Sequence, residues 1–117
     1  MSKQVIQFNQ QEIWCILQAL RFVETKDMVE RVRLHSTFQQ LNLVHYANEF
    51  KKSADLDLTT LPLEPIQFEI DDDVADYVYN KMTSTQVKGP YEVSLCIYDI
   101  SMKLDALRPQ KAPPEKT

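Results

Sequence analysis

Residues 91–107, YEVSLCIYDISMKLDAL, carry the strongest periodic signal in the chain. Val93, Cys96, Ile97, Ile100, Leu104 and Leu107 recur at three- and four-residue intervals, which places them along one side of an α-helix. Pro90 suits the first turn, where its missing N–H costs nothing, and Pro109 ends the helix after about Leu107. Leu95, Tyr98 and Met102 form a second apolar stripe opposite the first. A helix apolar on two sides either lies in the middle of its fold or offers one side to another chain. In a small helical domain a fully surrounded helix is hard to arrange, and tyrosine and methionine are favoured at interfaces. Leu95, Tyr98 and Met102 are therefore assigned to self-association, together with Phe22, and a homodimer is expected.

The rest of the chain supplies three further helices. Asn9 followed by Glu12 has the spacing of a capping box, with Asn in place of Ser/Thr. Ile13, Ile16, Leu17, Leu20 and Val23 follow at helical intervals, and Cys15 and Phe22 lie roughly opposite them, so this helix is predicted to be central or at an interface. Asp27 followed by Glu30 starts the second helix, whose pattern runs to about Lys52 either continuously or with a restart at Ser36-Thr37. Val29, Val32, Leu43, Ala47 and Phe50 would form one stripe, and Leu34, Phe38, Leu41 and His45 another. Pro62 and Pro65 keep residues 53–70 extended. Asp71 or Asp72 then caps a third helix carrying Val74, Tyr77, Val78 and Met82. The helix of residues 91–107 is the fourth.

Two short strands are predicted at residues 4–8 and 66–70. Ile6-Gln7-Phe8 recurs as Ile66-Gln67-Phe68, and each copy precedes a capped helix, a polar link and a second helix. The expected fold class is mainly α: a compact four-helix domain over residues 1–108 with up to two short strands; the recurring triplet is either a strand–helix–helix pseudo-repeat whose strands pair or a coincidence of three residues. Residues 109–117, rich in proline and lysine, are expected to be a disordered tail.

Composition narrows function mainly by exclusion. The chain has 117 residues, enough to bury roughly two-thirds of its surface without disulfides or metal. Its single glycine, Gly89, rules out a Walker A loop, a dinucleotide fingerprint and a nucleophile elbow, each of which needs two or more glycines at fixed offsets. No apolar run approaches the 18 or so residues of a membrane span, and residues 1–11 lack the apolar core of a signal peptide. Cys15 and Cys96 sit in apolar helical patterns and are read as reduced thiols, so the expectation is a soluble cytoplasmic protein.

Charge is unevenly spread. The net charge is −4, yet residues 55–76 hold eight acids and no base, while residues 1–54 and 77–117 are each +2. Asp55, Asp57, Glu64, Glu69, Asp71, Asp72, Asp73 and Asp76 are accordingly assigned to contact with a basic partner. They lack the alternating ligands, glycine and distal glutamate of a calcium loop. His45 and Glu49, four apart, offer two ligands where a zinc site needs three or four. No cysteine neighbours a histidine in sequence. The expectation is thus a non-catalytic interaction or regulatory protein with no metal or cofactor and no membrane contact. The alternative is a nucleic-acid-binding regulator using Arg21, Lys26, Arg31 and Arg33, which the acidic balance disfavours. A third class is a small enzyme or metal-dependent protein centred on His45.

Overall fold

A computed structural model describes residues 3–20, 23–52, 58–84 and 91–107. Strand β1 (Lys3–Phe8) leads into helix α1 (Gln10–Leu20), followed by α2 (Met28–Gln40) and α3 (Leu43–Lys51). A short 3-10 turn at Leu58–Thr60 precedes strand β2 (Ile66–Asp71), which leads into α4 (Asp72–Ser84) and then α5 (Tyr91–Asp105). The expected tail at 109–117, and Phe22, Arg21, Asp55 and Asp57, lie outside the described residues.

The strands pair antiparallel, and the duplicated triplets face one another. Ile6 lies opposite Phe68, Gln7 opposite Gln67 and Phe8 opposite Ile66. The register makes the Gln7–Gln67 pair a local twofold centre. Alternation then puts Ile6, Phe8, Phe68 and Ile70 on the buried side and Val5, Gln7, Gln67 and Glu69 on the exposed one. Among the described residues the helices do not follow the duplication, because three come after β1 and two after β2.

That difference corrects the four-helix count to five among the described residues. The predicted second helix does not reach Lys52, and its break is not at Ser36. It ends at Leu41, whose N–H bonds the Thr37 carbonyl at 3.0 Å. Asn42 then takes a left-handed backbone at φ 53°, ψ 39°, a conformation that asparagine tolerates better than most residues. In a chain with one glycine, asparagine takes the helix-ending role that glycine usually fills. The turn redirects the chain, so the two stripes drawn through a continuous helix dissolve. Val29 and Val32 face solvent while Leu43 is buried, and His45 is exposed on α3 rather than tucked beside Phe38 and Leu41.

α1 is central, as its all-round apolarity predicts. Ile13, Cys15, Ile16, Leu17, Ala19 and Leu20 are buried, and the helix packs on α3, α4 and α5. Its start is a true capping box: the Glu12 N–H donates to Asn9 Oδ1 at 2.9 Å and the Asn9 N–H donates to Glu12 Oε1 at 2.8 Å. The α5 stripe behaves as its spacing demands, with Val93, Ile100 and Leu104 fully inside.

Asp71 is the cap of α4, accepting the Val74 N–H at 2.8 Å. Gln40 grips the same residue twice: its amide Nε2 donates to Asp71 Oδ2 and its Oε1 accepts the Asp71 N–H, both at 2.9 Å. Burial pushes this carboxyl up. The Gln40 amide, the Val74 N–H, the Lys3 charge and the Asp73 N–H pull it down, and they prevail, so it stays below the ordinary aspartate value of 3.8. The native state therefore binds this proton more weakly than the unfolded chain. Its stabilisation is present above the unfolded pKa and lost as pH falls through the lower native one. Asp71→Ala should cost about 1–2 kcal/mol at pH 7 in urea unfolding, the usual worth of a lost cap. The gap from the wild type should hold down to about pH 5 and narrow below about pH 4. A gap that is constant down to pH 2 would show that the charge is not what matters.

Candidate interaction surface

The exposed side of α5 carries four of the ten large apolar side chains that are exposed among the described residues. Tyr91, Leu95, Tyr98 and Met102 are 73, 46, 63 and 55 % exposed. Their intervals of four, three and four are those of a coiled-coil seam. Together they present on the order of 500 Å² of mostly apolar surface, near the upper end of the largest patch on a typical monomer. Beside this ridge runs a groove of about 460 Å³ between α4 and α5, lined by Tyr79, Met82, Thr83, Ile97, Tyr98 and Met102. A ridge next to a groove is the shape that helix-on-helix packing requires.

Of the residues assigned to self-association, Leu95, Tyr98 and Met102 thus share one exposed face. Tyr91 extends it by one more turn. The same spacing rule reaches Tyr91, but the apolar stripe alone stopped at Leu95. The inward and outward sides of α5 are held apart by its neighbours. α4 and α1 pack against Val93, Ile100 and Leu104, leaving no element over the seam among the described residues.

The acidic segment is divided in use. Asp71 caps α4, and Asp72 Oδ1 accepts the Gln4 side-chain amide at 2.8 Å. Both are half-buried and engaged in the fold. Asp76 accepts from Asn80 at 3.3 Å within α4. Glu64, Glu69 and Asp73 are exposed, with Glu69 on the outer side of the sheet.

The basic residues occupy the far side of α4. Lys26 and Arg33 line a groove of about 320 Å³ with Tyr77, Asn80 and Lys81. Its acids are Asp27, which caps α2 through the Glu30 N–H at 2.9 Å, and Glu30. Glu30 pairs with Lys81 at 2.8 Å and accepts from the Tyr77 hydroxyl at 3.3 Å. Lys81 first, and then the Lys26 N–H, hold the Glu30 carboxyl below its usual range. Burial, with the Glu30 charge behind it, pushes Tyr77 up to about 12. Arg31 donates from Nε to Thr25 Oγ1 at 3.3 Å.

The remaining candidates are accounted for locally. His45 stacks edge-on against Tyr46 at 5.0 Å, and Glu49 pairs with Lys52 at 3.0 Å rather than with His45. Cys15 and Cys96 are free thiols whose sulfurs interact across the α1–α5 contact, and burial pushes both upward, Cys15 furthest. Thiolate chemistry is suppressed there. No group of three or more His, Cys, Asp or Glu able to hold a metal occurs among the described residues, and none of their helices is long and apolar enough to cross a membrane. No protein family, curated protein or solved structure matches this chain.

Proposed function

We propose that this chain is a small, non-catalytic interaction module of the cytoplasm that acts by burying the α5 seam against another protein surface. The observation that supports this reading is the four-residue apolar seam at heptad spacing, exposed on a helix whose other side is fully packed. Water-facing apolar area of this size is a standing cost unless a partner covers it. Self-association is the first use of that seam, and a homodimer is the simplest product. The exposed acids Glu64, Glu69 and Asp73 then form the outer surface offered to a basic partner.

The test is mass in solution by light scattering across concentration. The wild type should weigh more than the 13.7 kDa of one chain, approaching about 27 kDa for a dimer. Tyr98→Ser/Met102→Ser should return it to a single chain and weaken association at least tenfold. Its thermal unfolding at low concentration should move little, because both side chains are exposed. A wild type that stays at 13.7 kDa at every concentration would sink self-association.

A further inference from the structure

α5 is not the only helix with an uncovered apolar face. α2 turns Met28, Val29 and Val32 outward, and its inward side holds on through Thr37 and the half-buried Leu34 and Phe38. At 100° per residue, Met28 and Val32 fall at the middle of that exposed face, with Arg31 on one flank and Arg33 on the other. The α5 seam is bordered differently. Glu92 and Asp99, seven residues apart, follow its outer flank. The molecule thus carries one apolar helix face with a basic border and one with an acidic border.

The two faces cannot meet within one copy. α2 meets α4 on the side of Tyr77 and Lys81, whereas α5 meets it on the side of Tyr79, Met82 and Thr83. Glu92, Asp99 and Arg33 have no ion-pair partner among the described residues. Pairing α5 with α5 in antiparallel fashion would set acidic borders against each other, and pairing α2 with α2 would do the same with arginines. Like charges facing one another across an interface select against that partner. The α5 seam alone, on the order of 500 Å², is below the roughly 800 Å² per partner of a stable interface, so a contact that also engages the α2 face comes closer to it than α5 against α5.

We infer that the α5 seam of one copy is covered by the α2 face of a second copy, with one of the flanking arginines, Arg31 or Arg33 according to the direction of packing, set against the border formed by Glu92 and Asp99. The inference rests on reading the α5 seam as a contact surface, and it names the occupant. Contacts of this kind either close reciprocally into a twofold dimer or run on head to tail.

Charge reversal tests it on the full chain, by sedimentation equilibrium at 0.15 M salt with circular dichroism as the check of fold. Arg31→Glu/Arg33→Glu and Glu92→Lys/Asp99→Lys should each weaken association at least tenfold. Mixing the two variants in equal amounts, or combining all four changes in one chain, should restore it, since opposite charges again face each other. Raising salt to 1 M should weaken the wild type as well. If both reversals associate like the wild type while Tyr98→Ser/Met102→Ser does not, the seam pairs with itself: the occupant is wrong and the reading of α5 stands. If the reversals dissociate the protein, keep their fold and are not rescued by mixing or combination, the α2–α5 pairing is overturned. Loss of binding to a duplex DNA probe in the arginine variant, with its mass unchanged, would assign α2 to nucleic acid instead.

Discussion

Phe8→Ala is expected to lower stability by about 3–5 kcal/mol, the range for removing a fully buried aromatic ring. Phe8 has no exposure at all. Its ring packs against Phe68 across the sheet at 6.3 Å between centroids, and Lys103 Nζ lies over it at 5.5 Å. It also sits where β1 hands over to α1, so the cavity would open beneath both the sheet and the central helix. A domain of this size has a total stability of roughly 5–15 kcal/mol, so the loss could consume most of it. Urea unfolding should show a midpoint reduced by about a third or more with the slope unchanged. Val5→Ala is the control. Val5 is on the same strand but on its outer side and half exposed, so its change should stay within about 0.5 kcal/mol. Equal losses at both positions would mean that the strand's alternation does not separate core from solvent.

That pairing of Phe8 with Val5 also marks what can be read from this sequence. Local rules were sufficient wherever the determining groups are neighbours in the chain. Asn9 and Glu12 are three residues apart and form the capping box their types imply, and Asp27 caps α2. The Val93-to-Leu104 stripe reports its own buried side because only one periodicity fits it. The alternation within residues 6–8 and 66–68 marks two strands, but their pairing joins segments sixty residues apart and is set by the fold, not by the repeated triplet. The break at Asn42 was harder. Nothing in Leu41-Asn42-Leu43 departs from a helical pattern in residue type alone, and a left-handed residue is a matter of one backbone torsion. Once the chain turns there, everything that depended on helix continuity changes, including which side of α2 is wet.

The surface was less legible than the core for the same reason. Exposure of Leu95, Tyr98 and Met102 depends on whether another element covers the second side of α5, which the helix's own spacing leaves open. Exposure of Met28, Val29 and Val32 depends on which side α4 takes, and that is decided by Glu30 reaching Lys81 and Tyr77, about fifty residues away. Asp71 and Asp72 belong by sequence to the charged run, yet Gln40 and Gln4 hold them within the fold. An acidic run read as one object is therefore two: residues that fasten the second half of the chain to the first, and residues left facing water.

The buried carboxylate of Glu12 should show the second large effect, and it too joins the two halves. Glu12 is 3 % exposed. One of its oxygens accepts the Asn9 N–H at 2.8 Å and the Lys103 ammonium at 2.9 Å, and Lys103 also donates to the Gln7 carbonyl at 2.9 Å. One side chain thus starts α1, anchors α5 to it and, through Lys103, ties both to β1. Removing one partner of such a pair leaves an uncompensated charge, which costs 3–5 kcal/mol when the site is fully dry. The Lys103 side chain is 41 % exposed, so water relieves part of that penalty. Glu12→Ala, which also loses the capping box, should cost about 2–3 kcal/mol in urea unfolding. Glu12→Gln keeps an acceptor for Asn9 and should cost about half as much. Lys103→Met strands the carboxylate and should cost about 2 kcal/mol. The variant carrying both Glu12→Gln and Lys103→Met should then lose less than the sum of the two, by about 1 kcal/mol or more, because no buried charge is left behind. Simple additivity would show instead that the two groups act separately, Glu12 as a cap and Lys103 through its contact with the edge of β1.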